Sequence, residues 1–188
     1  MTRLFRYLLL FCALASPVWS QGAVPWKTIG RWAVSIDTSL GNGCYAIATW
    51  TGGTVLRIGL NPENDNFYLM IGNSDWRSLK PDSIYEVHLQ FDDLKPWSID
   101  AYALQFLPGD IVYLQAQSSN FEFIEEFMNQ ARMTLYYAGS KVETLKLRGS
   151  QAAFEEIQSC QAFIDENGLP DAKNDVPTPA GSDPFAKD

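Results

Sequence analysis

Sulfur and imidazole are scarce in this 188-residue chain: three cysteines and one histidine are all that it contains. Cys12 stands in an apolar run near the N-terminus, which leaves Cys44 and Cys160 as the sulfur atoms open to chemistry. Lying 116 residues apart with only His88 to join them, they make no recognisable zinc spacing. In an oxidising compartment an even pair of cysteines in one small domain is most simply a disulfide; a reactive or metal-bound thiol is the competing reading. His88 alternates with Glu86 and Gln90 along a strand-like run, where a lone imidazole is a polar surface residue rather than a general base. Neither G-x-S-x-G, S-x-x-K nor H-E-x-x-H occurs.

Carboxylates can carry out hydrolysis without histidine when two of them flank the scissile bond. Glu86, Asp92, Asp93 and Asp100 are the candidates, and spacing alone selects no pair among them. Glu125-Glu126 and Glu155-Glu156 read as solvated outer faces of helices. The glycines of "LGNGCYA" and "WTGGT" precede no helix, so they read as turns and not as a phosphate cradle. No cofactor and no metal is implied. Trp32 and Trp50 sit inside strand patterns and read as core. Trp76 in "GNSDWRSLKPD" and Trp97 in "DDLKPWSID" have loop-like contexts, and with Tyr102 they form the candidate binding surface, core packing being the competing reading.

The elements that must position these residues are mostly strands. "RWAVSI", "CYAIATW", "TVLRIGL" and "NFYLMIG" are rich in β-branched and aromatic residues and separated by turn residues. Gly52-Gly53 predicts a tight hairpin with both glycines at positive φ. "SIYEVHLQF", "SIDAYALQFL" and "DIVYLQAQ" follow, the last two divided by Pro108-Gly109; in the first, Tyr85, Val87, Leu89 and Phe91 alternate with polar residues. The period then changes. Phe121, Phe123, Ile124, Phe127, Met128 and Ala131 recur at helical spacing over 120–131, with Ser119 and Glu122 spaced as a capping box. A last hairpin turns at Gly139-Ser140. Ser150 is then the expected cap of a second helix over 151–166, on which Ala153, Phe154, Ile157, Cys160 and Ile164 share one side. That helix brings Cys160 toward the sheet. The expected architecture is mainly β, a β-rich α+β domain: an antiparallel β-sandwich or curved sheet of eight or nine strands, with two helices from the C-terminal third.

Residues 1–20 combine Arg3 and Arg6, an apolar run from Leu8 to Leu14 and a small-residue end at Val18-Trp19-Ser20, the pattern of a secretory signal peptide. The run is shorter than the ~20 residues that span a bilayer. Cys12 follows Phe11, which does not fit a lipoprotein site. Cleavage after Ser20 removes two of the 14 basic residues and none of the 22 acidic ones, leaving a net charge near −10. That balance argues against nucleic acid or an anionic membrane as partner. Residues 169–188 carry prolines without apolar periodicity and read as a disordered tail, so a single domain is expected over 21–168.

At "RWAVSI", the nearby "GNGCYA" and "LKLRGSQAAFEEIQSC", the chain resembles small exported proteins of alphaproteobacteria, including the invasion-associated locus B family. In that group a W-x-V strand and an early cysteine open the domain, and an L-x-L-x-G strand leads into a short terminal helix. Here Ser150 follows Gly149, where an aromatic residue is more usual in the family. The resemblance implies a periplasmic or surface-associated β-rich protein and brings no catalytic residues with it. Together these readings predict an exported, non-catalytic, envelope-associated interaction module, periplasmic or secreted, with a protein or cell-envelope ligand. A carboxylate-based hydrolase of an envelope polymer and an acidic inhibitor or immunity-type protein are the alternatives.

Overall fold

Alternation of apolar and polar side chains produces strands here almost wherever it occurs. The computed structural model describes residues 22–106 and 111–170. The expected signal peptide, the Pro108-Gly109 break and the tail from residue 171 lie outside the described residues. Ten strands run in chain order: β1 (Ala23–Ile29), β2 (Trp32–Asp37), β3 (Gly43–Thr49), β4 (Val55–Asn61), β5 (Asn66–Gly72), β6 (Ile84–Phe91), β7 (Trp97–Gln105), β8 (Val112–Ser118), β9 (Arg132–Tyr137) and β10 (Ser140–Lys146). Helix α1 (Phe121–Asn129) lies between β8 and β9, and α2 (Ser150–Asn167) closes the described chain. All strands join one antiparallel sheet in the order β1-β2-β3-β4-β5-β8-β7-β6-β9-β10.

Of the two expected forms, the molecule takes the curved sheet. Side chains near one end of the sheet reach the other end: the Trp32 indole N–H donates to the Arg148 carbonyl at 3.2 Å. Trp50 donates to the Lys146 carbonyl at 3.3 Å, and the Thr54 hydroxyl to Glu143 at 2.9 Å. β1 and β10 nevertheless remain the two edges, because no ladder joins them. A sheet curled in this way has a hollow that must be filled. Trp32, Ile36, Leu56, Ile58, Ile71, Leu89, Phe91, Met133 and Leu145 project into it, and both helices fill it with Phe123, Phe127, Phe154, Ile157 and Ile164.

Cys44 and Cys160 meet inside this core as a disulfide, with Cα atoms 6.1 Å apart and both residues fully buried. One residue further along α2, Gln161 accepts the Cys44 backbone N–H through Oε1 at 2.9 Å, while its own amide donates to Asp165. The staple expected from the apolar position of Cys160 is therefore present.

Several local expectations are corrected. β1 had no counterpart in the sequence reading; it carries Pro25, which has no N–H to give a ladder, and its pairing with β2 shifts register between Pro25 and Lys27. β1 is held from the other side by α2, where Glu156 accepts the Trp26 indole N–H at 2.9 Å and pairs with Lys27 at 2.6 Å. α1 is capped by Asn120, whose side chain accepts the Glu122 N–H, and not by Ser119. The structure also places Ser150 inside α2, buried, with its hydroxyl toward the Met128 carbonyl; left-handed Gly149 takes the cap position. In the β3–β4 hairpin only Gly53 has positive φ. Its N–H closes a four-residue turn onto the Trp50 carbonyl.

Candidate functional site

The three aromatic residues expected to form a binding surface lie in three different settings. Trp76 is half-buried in the connection between β5 and β6, packed against the core. Tyr102 is exposed on the outer face of β7, its hydroxyl donating to Asp82 at 2.8 Å, and that bond pushes its pKa above the ordinary tyrosine value. Trp97 is the first residue of β7 rather than a loop residue, and it faces inward with Ile99. Five positions apart on one strand, Trp97 and Tyr102 point to opposite sides of the sheet.

Trp97 borders a cleft of about 340 Å³ walled by Phe67, Leu69, Ile99, Ala116 and Phe123. The strand ladders explain why a cleft exists here. β5 and β8 pair along their full length, from Gly72↔Tyr113 to Phe67↔Ser118. β7 and β8 pair only from Gln105↔Val112 to Tyr102↔Gln115. Beyond that point the two strands part, and Trp97 to Ala101 on one side no longer bond to Ala116–Ser118 on the other. Phe123 forms the floor of the opening: its ring lies 5.9 Å from Phe67, 5.1 Å from Phe91 and 5.6 Å from Trp97, centre to centre. Trp97 itself is anchored, since its indole N–H donates to Glu126 of α1 at 2.7 Å. Glu126 and Glu156, read from the sequence as solvated, are thus tethers for tryptophans.

Beside the cleft the β7–β8 ladder ends at Tyr102↔Gln115, so no strand pair joins Ser98 or Asp100 to Gln117. Ala103 donates its N–H to Ser83 and accepts the N–H of Asp82, so odd-numbered residues of β7 bond toward β6. By alternation, Ser98 and Asp100 turn their N–H and C=O toward β8. On β8 the corresponding residue is Gln117. These three residues also line the cleft.

Among the acidic candidates, the β6–β7 ladder sets Glu86 directly opposite Asp100 on the exposed outer face. Like charges in that position repel. Ser98 Oγ lies 3.4 Å from Glu86. Asp92 is occupied elsewhere, pairing with Arg132 at 3.2 Å and accepting the Ala131 N–H, and Asp93 is an exposed turn residue. His88 sits on the outer face opposite Ser98. Among the described residues no three His, Cys, Asp or Glu side chains gather as a metal site would require.

A second cluster occupies the outer face farther along. The Arg57 guanidinium lies over the Tyr45 ring at 3.6 Å and the Tyr68 ring at 5.2 Å, bonds Tyr68 Oη at 2.8 Å and pairs with Asp37. Gly59 makes room for it, as a Cβ there would stand 2.6 Å from Tyr45 Cβ and 2.8 Å from Tyr68 Oη. Since Arg57 already serves Asp37 and Tyr68, the cluster is a structural clasp. Burial works to raise the Asp37 pKa, but bonds from Ser39 and Arg57 outweigh it and hold the carboxyl below its ordinary value of 3.8. A depressed carboxylate stabilises the fold above its unfolded-state pKa and loses that contribution as pH falls through the folded-state value. Stability to urea is therefore expected to drop as pH is lowered below about 4, and Asp37→Asn, less stable near neutrality, should show a shallower drop; an unchanged acid limb would contradict the assignment.

Comparison with known protein families, with curated proteins and with solved structures finds no match for this chain. Its class is defined by its own geometry: a curled antiparallel sheet wrapped around two helices and stapled by one disulfide.

Proposed function

We propose that this chain is an exported, non-catalytic interaction protein that takes its partner in the cleft beside Trp97. The observation that carries the reading is the parting of β7 from β8 over an aromatic floor, because it opens a recess of ligand-binding size with apolar walls and a polar rim. The disulfide supports residence in an oxidising compartment, in keeping with the leader-like residues 1–20 and with the resemblance to exported invasion-associated locus B proteins. No helix among the described residues is long and apolar enough to cross a membrane. The anchored indole supplies a rigid aromatic wall whose conformational entropy is already spent, the kind of surface that concentrates binding energy.

The test pairs affinity capture from an envelope extract with titration of Trp fluorescence. Trp97→Ala should weaken the captured partner at least about tenfold, since an aromatic anchor is worth ~2 kcal/mol or more. Ala116→Phe, which fills the recess from β8, should do the same with Trp97 intact. Trp76→Ala, distant in setting, should not. Equal recovery by the first two variants would remove the cleft from the proposal.

A further inference from the structure

From the parted strands we infer that the occupant of the Trp97 cleft is an extended peptide segment with alternating apolar and basic side chains, inserted between β7 and β8. This deepens the reading above and rests on it. The argument begins with the backbone. The ladder stops at Tyr102↔Gln115, and strand alternation from Ala103, which bonds toward β6, turns the N–H and C=O of Ser98 and Asp100 toward Gln117 across the opening. A strand presents donors and acceptors along both of its edges, so one inserted segment satisfies both rims at once, as in β-augmentation. Because β7 and β8 are antiparallel, the guest runs parallel to one and antiparallel to the other. The unpaired stretch, Trp97 to Ala101 facing Ala116 to Ser118, matches the length of three or four residues, on the order of 10–13 Å of strand.

Side-chain alternation then specifies the guest. Residues pointing inward meet Phe67, Leu69, Trp97, Ile99 and Phe123, and must be apolar. Residues pointing outward emerge beside Asp100 and its cross-strand neighbour Glu86, two exposed carboxylates that no cation among the described residues neutralises. A lysine or arginine there relieves their repulsion. The acidic balance of the whole chain, −8, steers a basic segment toward it.

The probe is a pooled library of short acetylated and amidated peptides alternating Phe, Val, Leu or Tyr with Lys or Arg, bound to the oxidised protein. Expected is enrichment of the alternating basic peptides over equally basic peptides with the pattern scrambled and over Glu-for-Lys counterparts. N-methylation of alternate amides should weaken the best peptide about tenfold or more, since each removed bond leaves a buried partner unmet. Asp100→Lys should invert the charge preference, and hydrogen exchange should slow at Ser98, Asp100 and Gln117 on binding. Library enrichment that ignores pattern, or N-methylated peptides that bind equally well, overturns the strand inference. If a different ligand is then lost with Trp97→Ala, the cleft keeps its binding role without it; if no ligand depends on Trp97, both readings fall.

Discussion

Replacing Cys44 and Cys160 together with alanine lowers the free energy of unfolding by about 4–5 kcal/mol, the chain-entropy value for a crosslink closing a loop of 116 residues. The double replacement avoids leaving one thiol unpaired in the core. Both positions are fully buried, so the bond lies where a reductant cannot reach it until the fold opens. For a domain of this size the loss corresponds to a melting temperature lower by roughly 10–20 °C. Urea titration of the oxidised protein and the variant measures it directly. The variant should also show a steeper dependence on urea, since its unfolded chain is free to expand further. A difference below about 1 kcal/mol would mean that packing of α2, rather than the sulfur bridge, holds the helix to β3.

Trp32→Ala costs about 3–5 kcal/mol, the range for truncating a large buried aromatic residue. Its ring is fully buried between Trp50, 5.7 Å away, and Phe127 of α1, 5.8 Å away, both meeting it edge to face. Its N–H also binds the Arg148 carbonyl just before α2. One side chain thus ties β2, the β3–β4 hairpin, α1 and the start of α2. Trp32→Phe separates the two contributions: it keeps an aromatic ring and loses the hydrogen bond, so an intermediate loss of about 1–2 kcal/mol is expected. If phenylalanine proves as damaging as alanine, shape rather than burial dominates at this position. Denaturant unfolding and near-ultraviolet circular dichroism of the tryptophan bands report both effects.

The sheet and the staple were legible because they depend on short-range patterns and on arithmetic. Alternation in "SIYEVHLQF" and the apolar run of "NFYLMIG" place β6 and β5 within a residue of where they lie. The helical stripe through Ile157 and Cys160 aims the sulfur inward before any contact is known. Helix caps were displaced by one residue because Ser119 and Asn120 are both competent acceptors, and only the backbone geometry chooses between them. β1 escaped notice because proline argues against a strand, yet an edge strand with a bulge tolerates it. The cleft could not be read at all. Its existence depends on where the β7–β8 ladder stops, a relation between segments with no signature in either one. Trp97 was picked out from its loop-like context beside Pro96, whereas it opens β7 and borders the recess, whose shape that context does not encode.

The placement of α2 at the end of the described chain has a consequence for biogenesis. All ten strands have been synthesised by Lys146, yet the hollow they enclose stays half empty until the residues after Gly149 arrive. Until then Cys44 waits without its mate and the inner surface of β2 to β4 lies bare. Because the helix that fills the hollow is made after every strand of the sheet, the described core cannot close before α2 has been synthesised, and the sheet alone is an unfinished shell until then.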